Sequence, residues 1–281
     1  CGEPAARAAE AVLAADAPPA HRVRARIALI DLAGQSIGEM DEAFAAALAD
    51  AGGDPALLAP LRLRLAWQAI LEGETDRATV AIAETIAVAE TAGDTITAAM
   101  ARGTQAHLQR IAGQPEYTRT LAAALAGPQP PLAGWLHLTP QYRSARFAIF
   151  DDRLDEARAD LLRMLVIAER GGGEELVEVL RSLAEVAVRA GRCRQALDFA
   201  TRAATVAEES GMSPGPSWYT MAMVQLAGGS LVRAVGYAER GLRASEQEHD
   251  GVYLRRSLHA IGVARLRSGD PRRGVAALLR L

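Results

Sequence analysis

The side chains that could do chemistry are few and scattered. His21, His107, His137, His249 and His259 show no mutual spacing suited to a metal, and Cys193 has no close Cys or His neighbour in sequence, so no zinc site is expected. Ser217 lies outside any Gly-x-Ser-x-Gly context, and no nucleophile stands beside a base. Asp151, Asp152, Asp155 and Glu156 cluster where a helix should begin, a place where the macrodipole favours negative charge. That is a structural role. Gly171-Gly172-Gly173-Glu174 could cradle an anion ahead of a helix, but no strand precedes it, so it is no dinucleotide fingerprint. All 31 basic residues are Arg. Without Lys there is no P-loop and no Schiff-base amine. The sequence therefore predicts neither an enzyme nor a bound cofactor.

The elements that must position whatever remains are predicted to be helices. Of the 281 residues, 50% are hydrophobic but only 4% aromatic, and the difference is Ala and Leu, both strong helix formers. A net charge of −3 from 31 basic and 34 acidic residues lacks the basic excess that a nucleic-acid surface needs. Two cysteines, Cys1 and Cys193, make no disulfide framework, which suits a reduced, cytoplasmic protein. The start at Cys1-Gly2 is also what a lipid-modified cysteine would look like, but an Ala-rich helix from Pro4 follows where a polar tether would be expected. The uncharged stretch Leu121 to Tyr142 is broken by Pro128, Pro130, Pro131 and Pro140, so it predicts no membrane span.

One kind of break recurs: Gly or Asp, four residues, then usually Ala. The anchors are Gly38, Gly73, Gly113, Asp152, Gly191, Gly229 and Gly269, separated by 35, 40, 39, 39, 38 and 40 residues. A period this regular predicts an all-α solenoid of about seven helix pairs. If each anchor is the turn between a first and a second helix, the residues seven before and five after it meet where the pair is closest. The first set is Asp31, Ala66, Ala106, Ala145, Ala184, Ala222 and Gly262, and the second is Ala43, Ala78, Thr118, Ala157, Ala196, Ala234 and Gly274. Nearly all are small. Nine after the anchor come Ala47, Ile82, Ala122, Leu161, Ala200, Ala238 and Leu278, an apolar column expected to be buried. Pro-rich joints at Pro18-Pro19, Asp54-Pro55, Pro128 to Pro131 and Pro214 to Pro216 fall between units, where Pro stops one helix or starts the next. The expectation is a single repeat domain over 1–281, with units at 19–52, 55–93, 94–127, 131–171, 174–211, 216–248 and 250–281. A lone helix, Glu3 to Asp16, precedes them. It reads as the second helix of a missing pair, and the last unit stops inside its second helix, so the chain is expected to be one region of a larger protein.

The positions Leu183, Ala184, Gly191, Ala196 and Ala203 resemble the tetratricopeptide pattern, in units longer than the usual 34 residues. Two segments, Arg146-Phe-Ala-Ile-Phe-Asp-Asp-Arg-Leu-Asp-Glu-Ala-Arg158 and Val179-Leu-Arg-Ser-Leu-Ala-Glu-Val-Ala-Val-Arg-Ala-Gly-Arg192, resemble the helical-repeat region of the large ATP-binding regulators of the LuxR family, found in actinobacteria. Absence of Lys and Asn fits a high-GC genome. In that family an ATPase precedes the repeats and a helix-turn-helix follows them. The resemblance covers nearly all of the chain but only the middle of such a regulator, and in the maltose-regulator branch this region binds an inducer. It implies ligand sensing on behalf of an ATPase and a DNA-binding domain, with no direct nucleic-acid contact by this region. The ligand itself does not carry over.

In a right-handed stack of helix pairs the first helices line the concave side, and the residues ten and six before each anchor point into it. They are Ala28 and Leu32, Leu63 and Trp67, Gly103 and His107, Tyr142 and Arg146, Arg181 and Glu185, Tyr219 and Met223, and His259 and Val263. With neighbouring Arg110 and Arg256, this predicts a groove in which Trp67, Tyr142 and Tyr219 give apolar area while Arg146 and Arg181 orient a polar or anionic group. His107, Glu185, Met223 and His259 complete it. The alternative is a scaffold whose groove takes a peptide or a neighbouring domain and no small molecule.

Overall fold

The structure, a computed structural model, describes residues 2–131, 135–171 and 173–281. Cys1 and Gly172, part of the glycine run before Glu174, lie outside the described residues. Among those described there is no β-strand. Fifteen α-helices follow one another: α1 Gly2–Ala14, α2 Pro19–Ala33, α3 Asp41–Ala51, α4 Pro55–Glu72, α5 Thr75–Ala92, α6 Thr95–Ile111, α7 Tyr117–Ala126, α8 Pro140–Phe150, α9 Leu154–Gly171, α10 Glu174–Arg189, α11 Cys193–Glu209, α12 Gly215–Gly228, α13 Leu231–Gln247, α14 Gly251–Arg267 and α15 Pro271–Leu278. Short 3-10 turns occupy Gly34–Glu39 and Leu136–Leu138. No helix of the described residues is long and apolar enough to cross a membrane.

Local chemistry sets where the helices start and stop. The Asp54 carboxylate accepts from Ala56 N–H at 2.9 Å with Pro55 in the first turn, Asp94 accepts from Thr97 N–H at 2.9 Å, and Asp250 from Val252 and Tyr253 N–H at 2.9 and 3.0 Å. Each cap satisfies a donor that the helix itself leaves open. Of the seven predicted anchors, Gly73, Gly113, Asp152, Gly191 and Gly269 adopt positive φ at helix ends. The following N–H then reaches back five residues, as from Glu74 to Ala69 O (2.9 Å) and from Arg192 to Ala187 O (2.8 Å). This left-handed closure favours Gly and tolerates Asp, which explains the one Asp in the series. Gly229 closes differently: the Gln225 carboxamide oxygen accepts from Ser230 N–H at 3.0 Å. Gly38 is no helix end at all, because α2 stops at Gly34 and Gly38 sits inside the 3-10 turn.

Within each unit consecutive helices such as α4 with α5, α10 with α11 and α12 with α13 pack on one another through these short turns, and alternate helices touch as well: α2 with α4, α4 with α6, α10 with α12, and α12 with α14. The apolar core is accordingly distributed. Leu176, Val177 and Leu180 of α10 meet Ala168 of α9 and Ala203 and Ala207 of α11, while Ala184 and Ala187 of the same α10 meet Ala196, Ala200, Met221 and Val224. A third cluster joins Ala222, Ala238, Leu242, Leu258, Ile261 and Ala277. Helix α10 is thus buried on two sides, and each fully buried Leu or Phe contributes about 1.5–3 kcal/mol. The small-residue columns explain how the helices come so close. Ala66, Ala78, Ala106, Ala145, Ala157, Ala184, Ala196, Ala222 and Ala234 are all at 0% exposure.

The exceptions have local causes. Asp31 in the first column is held by Arg64 at 2.8 and 2.7 Å. Thr118 and Ala122 are exposed, although Ala122 belonged to a column expected to be buried. The turn after Gly113 contains Pro115, and α7 starts only at Tyr117. The buried face moves accordingly to Leu121 and Ala124.

The chain divides into two compact units, one of residues 1–131 with 137–143 and the other of 132–136 with 144–281. The division falls within α8, so the predicted aromatic and charged positions belong partly to one unit and partly to the other.

Candidate functional site

In the first unit the predicted residues lie among aromatic and cationic partners. Trp67 of α4 is half-buried, its ring centroid 4.4 Å from that of His137 and tilted by 37°. The Arg143 guanidinium lies 5.7 Å from the Trp67 centroid. Arg110 covers Tyr117 at 4.8 Å, so it is engaged with α7. Gly103 is closed over, since a Cβ there would stand 3.4 Å from Pro140 Cα. Tyr142 is buried, with its N–H 3.3 Å from the Thr139 hydroxyl, and Leu63 is buried too. His107 is half-buried on α6. Ala28 belongs instead to an apolar groove of about 780 Å³ between α1 and α2, lined also by Ala5, Ala9, Val12, His21 and Arg24.

The second unit gathers far more. Arg146, at the end of α8, donates to Glu185 of α10 at 2.6 Å and to the Ser182 hydroxyl at 3.3 Å. Glu185 is shared with Arg189 at 3.5 Å. One turn before it on α10, Arg181 spends its donors on three partners: Glu178 at 2.6 Å, the Thr220 hydroxyl of α12 at 3.4 Å, and the Tyr253 hydroxyl of α14. The Arg181 guanidinium also lies 4.9 Å from the Tyr253 ring centroid. Tyr253 meets Tyr219 edge to face at 5.8 Å, and Arg256 lies 4.9 Å from the Tyr253 centroid and 5.8 Å from that of Tyr219. Side chains of α8, α10, α12 and α14 therefore contribute to these polar and aromatic contacts, and the charge of Arg256 links the two groups through Glu185.

Its electrostatics follow from burial and cation density. Burial pushes the Glu185 carboxyl up, but the charge and hydrogen bond of Arg146, with the charges of Arg256 and Arg189, hold it net below its ordinary value. Asp250 has no such hydrogen-bonded cation. Burial raises its carboxyl to about 6, against the opposing pull of the Val252 N–H and the charges of Arg256, Arg181 and Arg255. One Asp250 oxygen caps α14, while Oδ2 is buried with no hydrogen-bond partner.

Of the predicted residues, Arg146, Arg181, Glu185, Tyr219 and Arg256 come together. Met223 is half-buried on α12, and His259 is exposed on α14 and makes none of these contacts. Arg181, expected to face an open groove, is 8% exposed. It bridges neighbouring helices rather than standing free. Sequence reasoning missed Tyr253, Glu178, Ser182, Thr220 and Asp250. Glu178 was within reach, being three residues before Arg181 on the same helix; Tyr253 sits a turn and a half before the predicted column and offered no signal.

The cluster sets cations beside aromatic rings and paired carboxylates. No group of three or more His, Cys, Asp or Glu that could hold a metal occurs among the described residues. No model of a known protein family matches the chain, and no curated protein matches it.

Proposed function

We propose that the chain is a ligand-sensing and interaction domain of a transcriptional regulator of the LuxR type, acting on an ATPase and a DNA-binding domain outside this sequence. Helix pairs α2–α3 through α14–α15 are then seven tetratricopeptide-like units of a right-handed α-solenoid. The observation that carries the reading is Arg181, whose guanidinium joins α10 to Thr220 of α12 and Tyr253 of α14. A ligand that exchanges for such contacts alters how the first helices of successive pairs are spaced. Only a ligand with different affinity for the two spacings shifts the balance.

The direct test is a metabolite screen read by quenching of Trp218 and the other tryptophans, followed by small-angle scattering with and without each hit. A saturating hit that changes the radius of gyration is the expected result. Hits that leave the dimensions unchanged, or a domain that responds only to a peptide, would overturn sensing by a small molecule.

A further inference from the structure

Three arginines of the cluster are matched by carboxylates and one is not. Arg146 and Arg189 share Glu185, Arg189 also reaches Asp152 at 3.4 Å, and Arg181 has Glu178. Arg256 has no carboxylate within ion-pair distance and no hydrogen-bond acceptor among the described residues. A guanidinium carries five N–H donors in a planar fork. None of the Arg256 nitrogens is among the buried polar atoms without a partner, so the donors reach solvent, while the guanidinium carbon lies 5.8 Å from the Tyr219 ring centroid and 4.9 Å from that of Tyr253. Arg181 of α10, which meets the same Tyr253, shows the opposite arrangement, with every side-chain nitrogen occupied.

A cation placed against two aromatic rings, with its donors unspent, is positioned before any partner arrives. The two rings fix the guanidinium without using a donor, and the fork then matches two oxygens of one anionic group. Arg181 and Arg146 are neutralised by their own carboxylates, while the charge of Arg256 is felt by Glu185 and Asp250 without an ion pair to either. The Tyr219 and Tyr253 rings add apolar surface for the carbon frame of a ligand.

We propose that Arg256, seated on Tyr219 and Tyr253, anchors a site for the oxyanion group, carboxylate or phosphate, of a small organic molecule. The proposal rests on the sensing role above and names the chemical class that role would read. Arg256 fixes the anion, the two tyrosines pack its carbon skeleton, and Arg181 holds Tyr253 in place.

The test is calorimetric titration of the whole chain at low ionic strength with inorganic phosphate and, separately, with acetate, for the unaltered protein and for Arg256→Gln, Arg256→Lys and Arg255→Gln. Saturable binding of at least one anion is expected. It should weaken at least tenfold in Arg256→Gln, weaken less in Arg256→Lys, and stay within about twofold in Arg255→Gln, whose side chain is exposed. Since a variant can misfold, the Arg256 Nε–H resonance of the unaltered protein gives a second readout and should shift on adding the anion. Equal binding by Arg256→Gln, an unmoved Arg256 resonance, or saturation by a polyglutamate peptide but by neither small anion overturns the proposal. A metabolite response that survives Arg256→Gln removes the anchor and leaves the sensing role standing; phosphate bound at Arg256 with no metabolite response does the reverse.

Discussion

Arg146 and Glu185 pair at 2.6 Å between α8 and α10, and both side chains are largely out of water, at 13% and 16% exposure. Removing one partner of such a pair costs more than the pair contributes, because the other charge stays buried. Arg146→Met leaves Glu185 with the longer contact to Arg189 and the charge of Arg256 and is expected to destabilise the second unit by about 3 kcal/mol. Urea unfolding measures the loss. The double variant Arg146→Met with Glu185→Leu should recover most of it, and a double variant as unstable as the single one would show that the arginine matters for packing rather than charge.

Asp250 should make the second unit more stable in mild acid than at neutral pH. Its folded carboxyl lies at about 6 against an ordinary 3.8, so the folded form binds the proton more tightly. That contribution is complete below about 3.8 and is lost as pH rises through about 6, a change on the order of 2–3 kcal/mol. Asp250→Asn keeps an N-cap oxygen for Val252 and Tyr253 and removes the ionisation. Thermal unfolding of this variant should exceed that of the parent at pH 8 and show a flatter profile between pH 4 and 8. A parent profile that rises through pH 6 would contradict the assignment.

The regular spacing of the turns was legible because it depends on backbone conformation and on close helix approach, which only a few residue types allow. Gly191 at the helix end and Ala184 against Ala196 are direct consequences of steric limits. What escaped was whatever depends on a third helix. Nothing within the Asp250-Gly-Val-Tyr253 segment says that Asp250 is wholly buried, since its burial comes from elements far along the chain. Tyr253 likewise enters the cluster only because α14 lies against α12. Arg181 and Glu185 do enter the cluster, but the degree of burial, and hence which cations are satisfied, depends on partners that a column of letters cannot supply. Gly113 shows a further limit: the anchor is correct, yet Pro115 delays α7 and moves its buried face from Ala122 to Leu121 and Ala124.

The last pair, α14 and α15, uses glycine where earlier pairs use alanine, and the reason is spatial. A Cβ on Gly262 would stand 2.5 Å from Leu278 Cγ and 3.2 Å from Gly274 O, and one on Gly274 would stand 2.8 Å from Leu266 Cγ and 3.1 Å from Gly262 O. The leucine side chains can move, but the opposed backbones are already near contact. Gly262→Ala should therefore cost about 1–3 kcal/mol despite alanine's better helix propensity. Gly236→Ala on α13, where a Cβ meets nothing within 4 Å, should be stabilising by up to about 1 kcal/mol. Denaturant midpoints of the two variants, compared side by side, check the contrast.

The first unit should respond to acid in the opposite sense from Asp250. Asp50, at the end of α3, is gripped by two arginines of α2: the Arg22 Nε donates to it at 3.0 Å, and Arg22 Nη2 and Arg26 Nη1 also donate to the same carboxylate. The Arg22 hydrogen bond, more than the charges of Arg26 and Arg22, holds the carboxyl down at about 2 against the upward push of desolvation. A depressed carboxyl contributes stability that is complete above its ordinary 3.8 and is lost as pH falls toward 2. Protonation releases both arginines at once, so α2 and α3 should loosen together between pH 4 and 2. Amide exchange of Phe44 to Ala51 should accelerate over that range, and Asp50→Asn should already exchange faster at pH 6, with little further change in acid. Exchange in the parent that is flat from pH 5 to 2, after correction for the intrinsic rate, would show that the arginine grip does not hold these two helices together.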